Sequence, residues 1–404
     1  MKIRSITYFC NPKYPLEEQI LQTAGQFLAK ARSAYEAEGY EVQTTRLATI
    51  PFPELLGEKN IEALPELAYH LASVIRQVGI AYGSLGPALP KIPHSYEVIP
   101  EAIAAAQNIF FGGVMADRIH GVDLAAIRAC ADVIVKCALI EPNGFANLQF
   151  AALANVGAGA PFFPAAYHDR DEPAFAVATE AADLAVDAFS NTKTLEEGRA
   201  ALTAEIEKHG KAIARISKTE LSDVEFHGID FSLAPFPDDA HSLGNAVEQM
   251  GVQRIGDHGS LAAAAILTEA IDRADFPHTG FSGFMQPVLE DSVLAKRAAE
   301  GSLTVKDALL YSAVCGTGLD TIPLPGDITP GEITPLLLDL CTLAMRLDKP
   351  LTARLMPIPG KTAGDKTDFD FAFFAPSRVM ALNSQALTNS LAGTGSFDLS
   401  FRRR

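Results

Sequence analysis

The 404-residue chain has no run approaching about 18 uncharged apolar residues, the length a membrane-spanning helix requires, so no membrane span is expected. The opening MKIRSITYFCNPKYP carries no long apolar stretch after its basic residues, and no secretory leader is expected either. Cysteine is scarce. The five present, Cys10, Cys130, Cys137, Cys315 and Cys341, are odd in number and form no CxxC. That pattern excludes a disulfide framework and a cysteine zinc site, and points to the cytoplasm. Basic blocks are missing as well. With a formal net charge of -16 and a pI near 5.0, the surface repels phosphate backbones, so no nucleic-acid partner is expected. No GxGxxG follows the first strand, which leaves a nicotinamide cofactor unsupported. The stretch Pro359-Gly360-Lys361-Thr362 is not a phosphate loop, because Leu355 stands where the first glycine is needed. Backbone amides around Gly360 with Lys361 remain an anion-contact candidate.

Hydrophobic residues make up 48% and charged residues 20%, a globular profile with enough apolar side chains for a large core. The length fits one large domain or two ordinary ones. Apolar strand patterns at 3–8, 42–47, 79–82, 108–114 and 133–139 alternate with helical patterns at 16–38, 61–78, 99–105 and 122–131. Such alternation implies crossover units and a mainly parallel sheet, covered on both faces because the strands lack strict polar alternation. Residues 148–164 read as a buried helix and a turn. Residues 174–218 read as an Ala-rich helical crossover joining two halves, about 1–190 and 220–404, of a single α/β domain. The second half supplies helices at 243–250, 292–300, 305–312 and 330–347, loops at 276–286 and 315–327, and a strand at 352–357.

Five segments, PFFPAAYH (161–168), GIDFSLAP (228–235), SGFMQPVLEDS (282–292), AVCGTGLDTIPLPGD (313–327) and MPIPGKTAGDKTDF (356–369), together with KIRSITY (2–8), resemble the family catalogued as domain of unknown function 711. The resemblance spans nearly the whole chain in the same order. It implies a ten-stranded α/β barrel like that of pyruvate formate-lyase and anaerobic ribonucleotide reductase; a doubly wound, mainly parallel sheet is the alternative. It also implies the company of a small ligand-binding regulatory protein. A glycyl-radical mechanism is not expected. The C-terminal stretch Ser377-Arg378-Val379-Met380-Ala381 lacks the glycine such enzymes carry, and no adjacent cysteine pair exists. Fold does not fix function.

Several residues are candidates for chemistry. Cys315, at the Gly316/Gly318 bend, is a candidate nucleophile, the alternative being a small buried hydrophobe. Asp320 and Asp327 flank a proline-stiffened loop suited to Mg or Ca, with capping as the alternative for Asp327. Glu290 and Asp291 form an acidic pair; Asp291 suits an N-cap and Glu290 a pocket. His258, beside Asp257 at the start of an Ala-rich helix, is a candidate general base or a satisfied loop histidine. His168 ends an apolar stretch. Glu141, Asn143 and Asn147 follow the apolar run 133–139, where ligands bind beyond parallel strands, although Asn143-Gly144 also reads as a turn. The expected function is an enzyme acting on a small polar or anionic metabolite by acid/base or cysteine chemistry. The alternative is a small-molecule sensor without turnover. Whether the chain forms a homo-oligomer is left open.

Overall fold

The computed structural model describes residues 1–400. Eleven strands form one sheet: β1 (Lys2–Cys10), β2 (Val42–Thr49), β3 (Tyr82–Ala88), β4 (Ile109–Asp117), β5 (Gly121–Asp123), β6 (Phe150–Ala154), β7 (Ala174–Glu180), β8 (Glu225–Asp230), β9 (Gly318–Pro325), β10 (Leu351–Ile358) and β11 (Ser396–Phe397). The order is β8-β7-β1-β2-β3-β4-β6-β10-β9, with β5 pairing β4 and β11 off this path. Along this path neighbours run parallel except at β7/β1 and β6/β10, and β5 pairs antiparallel with both β4 and β11. The strands β1, β2, β3, β4 and β6 therefore form one parallel set. β7, β8, β9 and β10 run the other way. The expected mainly parallel α/β class holds.

Between the edge strands β8 and β9 runs the irregular segment 276–289, which bonds to both. Ile229 N–H donates to Pro277 O (2.8 Å) and Thr279 N–H to Ile229 O (3.1 Å). At the other end, Val288 N–H donates to Asp320 O and Gly316 N–H to Phe284 O (3.0 and 2.8 Å). Parallel bridges pair Ile229 with His278 and Pro287 with Asp320. Gly280 sits at φ 63° against the Asp230 carboxylate, where a Cβ would collide, so only glycine fits.

The two faces of the sheet differ in residue size. In β7, Phe175 and Val177 join the large core under the helices, while Ala174 and Ala176 face a smaller cluster with Phe9, Ala48, Phe110 and Phe163. The small residues make room for the loop 155–173, which lies across that face and buries Val156, Ala160, Phe163, Ala165 and Ala166. Its backbone is tied down by Ser84 Oγ donating to Ala166 O (2.7 Å) and by His168 N–H donating to Thr49 O (2.8 Å).

Four sequence expectations are corrected. Residues 133–139 are not a strand but the end of the helix Leu124–Ala138, in which Ile127, Cys130, Ile134 and Cys137 recur at helical spacing toward the core. A short apolar run cannot by itself separate strand from buried helix. Residues 148–164 hold strand β6, not a helix, because both faces of Phe150–Ala154 are buried. Residues 174–180 are β7, not helix; the helical part of that crossover is Ala182–Ser190 and Leu195–Glu220. Residues 315–327 hold β9, whose glycine and prolines suggested a loop.

Candidate functional site: a buried arginine–carboxylate cavity

Three strands each carry one arginine on the loop-covered face: Arg4 on β1, Arg46 on β2 and Arg354 on β10. A register shift between Ile3 and Ser5 accompanies Arg4, and such bulges re-aim side chains. Opposite them stand Glu180 at the end of β7, Asp320 on β9, and Glu290 in the turn before helix Ser292–Glu300. Arg354 Nε donates to Asp320 Oδ1 at 2.6 Å, and its Nη2 donates to Glu290 Oε1 at 2.9 Å. Arg4 donates to the other Glu290 oxygen at 2.5 Å and to Glu180 at 2.8 Å. Gln43 adds a donor to Glu180 at 2.9 Å. The result is a continuous charge chain, Glu180–Arg4–Glu290–Arg354–Asp320, drawn from five separate segments.

The chain is largely dry: side-chain exposure is 0% for Asp320, 7% for Arg354 and 8% for Glu290. Burial lowers both Arg4 and Arg354, but their carboxylate partners outweigh it and hold both above the usual arginine value. Asp320 is raised above the ordinary carboxylate range, first by burial; Glu290 raises it further and Arg354 opposes. Its second oxygen, Oδ2, is buried with no hydrogen-bond partner.

Arg46 differs from the other two. Its Nε donates to Thr44 Oγ1 at 2.9 Å, and among the described residues no carboxylate forms a salt bridge with it. Its guanidinium lies 5.1 Å from the Phe163 ring centroid and 6.0 Å from that of Tyr82. Burial, then repulsion from Arg4, lowers its pKa to about 9, so it remains charged at neutral pH. Asp230, on β8, accepts from Phe281 N–H (3.0 Å), Ser282 N–H (2.9 Å) and Ser232 Oγ (2.5 Å), which fixes the segment 276–289 in place. Burial raises its pKa.

All of these charged groups except Glu180 line one cavity of about 180 Å³. Phe162 and Phe163 come from the loop 155–173, Met285 from the segment 276–289, and Phe371 and Phe373 from a C-terminal loop. That loop is closed at its base by the Lys366–Arg378 bridge and by Thr367 N–H donating to Ser377 O (3.0 Å). Phe371 packs on Phe145 (5.1 Å) and Phe373 on Phe236 (5.7 Å). The cavity sits at the N-terminal ends of β1–β4 and beside the C-terminal end of β8, not only beyond strand C-termini. A larger surface groove, about 760 Å³, lies between helices Ser292–Glu300 and Pro330–Leu347 and the chain after Arg378. Its charged residues, Glu300, Lys306, Asp339 and Arg378, are exposed side chains that form no comparable buried cluster.

Of the residues singled out in the sequence, the structure brings Glu290 and Asp320 together on Arg354. Asp320 sits on a strand, not in a loop. Cys315 lies elsewhere: it is buried, its sulfur accepts from Gly318 N–H (3.2 Å) and lies 3.8 Å from Gln286 Nε2, and burial raises its thiol. It does not line the cavity, which removes the geometry a nucleophile needs. Asp291 is fully buried and caps two helices: Oδ1 accepts from Val293 and Leu294 N–H and from Ser242 Oγ, Oδ2 from Leu243 and Gly244 N–H. His258 is exposed at a turn on the outer surface. His168 is buried beside Phe9, its Nε2 2.9 Å from Glu172 O, outside the cavity lining. Burial lowers its pKa. Asn143 forms a turn by accepting from Phe145 N–H (3.1 Å), and neither it nor Glu141 lines the cavity. The premise for both, a strand at 133–139, does not hold. Lys361 pairs with Asp368 at 3.1 Å on the surface. Asp327 is exposed, and the helix after it is capped by Thr329 with Glu332. No group of three His, Cys, Asp or Glu side chains among the described residues is placed to hold a metal ion. The Mg or Ca expectation on Asp320 fails on a specific point: a guanidinium occupies the position a cation would take. Sequence reading missed Arg4, Arg46, Arg354, Glu180 and Asp230. The available signal was one arginine inside each of three strand segments, at positions 4, 46 and 354.

The fold and cavity define a mainly parallel α/β protein with a charge-lined site. The chain belongs to the family described as Uncharacterised ACR (DUF711), whose model matches residues 1–377. It is similar to a UPF0210 protein of Pyrobaculum aerophilum, 30% identical over 402 residues and covering 91% of this chain and 87% of that one. It is also similar to UPF0210 proteins of Methanopyrus kandleri (27% identical; 87% and 82% covered) and Clostridium perfringens (24% identical; 87% and 82% covered). No helix among the described residues is long and apolar enough to cross a membrane.

Proposed function

We propose that the cavity binds a small organic anion on Arg46 and that Asp320 exchanges a proton with it, making the protein an acid/base enzyme. One observation carries this reading: Arg46, half-buried and without a carboxylate partner among the described residues, shares a cavity with the partnerless oxygen of Asp320. An unpaired charge and an unpaired buried carboxyl oxygen both cost stability, and such groups concentrate at functional sites. A carboxyl raised above its ordinary range holds a proton more readily and can exchange it with a bound ligand. Arg354 and Arg4 keep the neighbouring Glu290 charge compensated while this happens.

A binding protein without turnover is the second reading. It is favoured by a lining that contains no Cys, His or Lys, which leaves Asp320 as the group with a free buried oxygen. Proton NMR in D2O separates the two, using small carboxylic acids that carry a hydrogen on the carbon next to the carboxylate. An acid/base enzyme washes deuterium into that position, and Asp320→Asn stops it. Binding without washout favours the sensor. An Arg46→Gln protein that binds as well as wild type would remove both readings.

The sheet itself reads as the ten-stranded barrel of the resemblance, with the segment 276–289 as the tenth strand. Its hydrogen bonds to β8 and β9, and the parallel sense of both bridges, support that closure. A cytoplasmic site of action is consistent with five buried free thiols.

A further inference from the structure

We infer that the molecule bound in this cavity is a monocarboxylate with an aromatic or branched apolar body, and not a phosphate or a dicarboxylate. This inference rests on the anion reading above and narrows it. Charge sets the first limit. Arg4 and Arg354 are already committed to Glu180, Glu290 and Asp320, which leaves Arg46 as the one uncommitted guanidinium of the lining. A second negative charge on the ligand would meet Glu290 and Asp320 in a dry environment, where like charges repel strongly. Donor geometry sets the second. The face of Arg46 is covered by Phe163 and its Nε is used by Thr44, so the terminal nitrogens are what it offers. That edge matches the two oxygens of one carboxylate.

Wall chemistry sets the third limit. The apolar part of the lining is aromatic and thioether, with Phe163 against Arg46, Phe162 against Arg354, and Met285, Phe371 and Phe373 around the same cavity. These suit a ring or a branched hydrocarbon, and the polar lining groups beside them, among them Thr179 and Ser232, carry no positive charge for a second anionic group. Size agrees. A cavity of about 150 Å³ holds one benzene ring. The 180 Å³ here fits a ring-sized body with its carboxylate.

The test is isothermal titration calorimetry of the full chain with sodium phenylacetate, phenylacetamide, sodium succinate and inorganic phosphate. Phenylacetamide keeps the shape and removes the charge. The expected result is one phenylacetate per chain, with Arg46→Gln and the switch to phenylacetamide each weakening binding about tenfold or more, the worth of a charge-assisted hydrogen bond. The pair Phe371→Ser and Phe373→Ser should weaken phenylacetate while leaving the small ion formate unchanged. The wild-type ligand series does not depend on any variant folding. Succinate or phosphate binding more tightly than phenylacetate, and still requiring Arg46, would overturn this inference and leave the anion reading standing. Phenylacetamide binding as well as phenylacetate, with no effect of Arg46→Gln, would overturn the anion reading itself. Binding of none of the four probes would overturn both.

Discussion

Replacing Arg354 by Met removes the guanidinium that bridges Glu290 and Asp320 and fills its volume with apolar atoms. Glu290 keeps Arg4 as a partner. Asp320 keeps nothing, because its Oδ1 bonds Arg354 and its Oδ2 has no partner. Breaking a buried ion pair from one side costs about 3–5 kcal/mol. Protonation of Asp320 limits the loss: neutralising a carboxyl of ordinary pKa at about pH 7 costs about 4 kcal/mol, at roughly 1.4 kcal/mol per pH unit. A destabilisation of about 3–4 kcal/mol is therefore expected near neutrality. The pH dependence has a definite sign. Asp320 is raised in the folded protein, so the folded state binds more protons than the unfolded one, and its contribution to stability falls as pH rises above the ordinary carboxylate range. Arg354 opposes that rise in the wild type, so the variant has the steeper slope. Urea unfolding of both proteins, followed by far-ultraviolet circular dichroism because the chain has no tryptophan, measures the difference. The deficit should shrink by more than half between about pH 8 and about pH 5, and Arg354→Met with Asp320→Asn should recover most of it. A deficit below about 1 kcal/mol, or one flat with pH, would refute the buried charge chain.

Three further outcomes are expected. Arg46→Leu should leave stability within about 1 kcal/mol of wild type or raise it, because burial already disfavours that charge and no carboxylate pairs with it among the described residues; urea unfolding checks this. All five cysteines are buried and the Cys315 thiol is raised, so a thiol reagent at neutral pH should label none in the native protein and all five after unfolding. Rapid labelling of one native cysteine would restore a reactive thiol. Asp291→Ala should cost about 2–4 kcal/mol, since it uncaps two helices and strands buried donors from Ser242 to Leu294, whereas Asp327→Ala, on an exposed side chain, should cost under about 0.5 kcal/mol; thermal unfolding ranks the two.

The helices were the most legible part of the sequence. Ser292–Glu300 and Pro330–Leu347 carry start signals, Asp291 before the first and Thr329 with Glu332 at the second, and both match their predicted bounds. The parallel class was legible because strand patterns without strict polar alternation follow one another with helical patterns between them. The errors share one cause. β6 and β7 are rich in alanine because one face must admit the loop 155–173, and alanine favours helix when read alone. The helix end at 133–139 is apolar around most of its circumference, which imitates a strand. The site was legible only in part. Glu290 stood out as the member of an acidic pair suited to a pocket, and Asp320 as an acid beside a proline-rich stretch, but their common partner Arg354 lies on another strand, and no local pattern announces that meeting. Cys315 and His258 drew attention by residue type, and burial and exposure respectively place them away from the cavity.

The most direct test of the central claim is native mass spectrometry of the purified chain equilibrated with an equimolar mixture of small organic acids. The account predicts an adduct of one acid per wild-type chain, absent from Arg46→Gln and present in Cys315→Ala. No acid retained by the wild type, or the same adduct on Arg46→Gln, would contradict it.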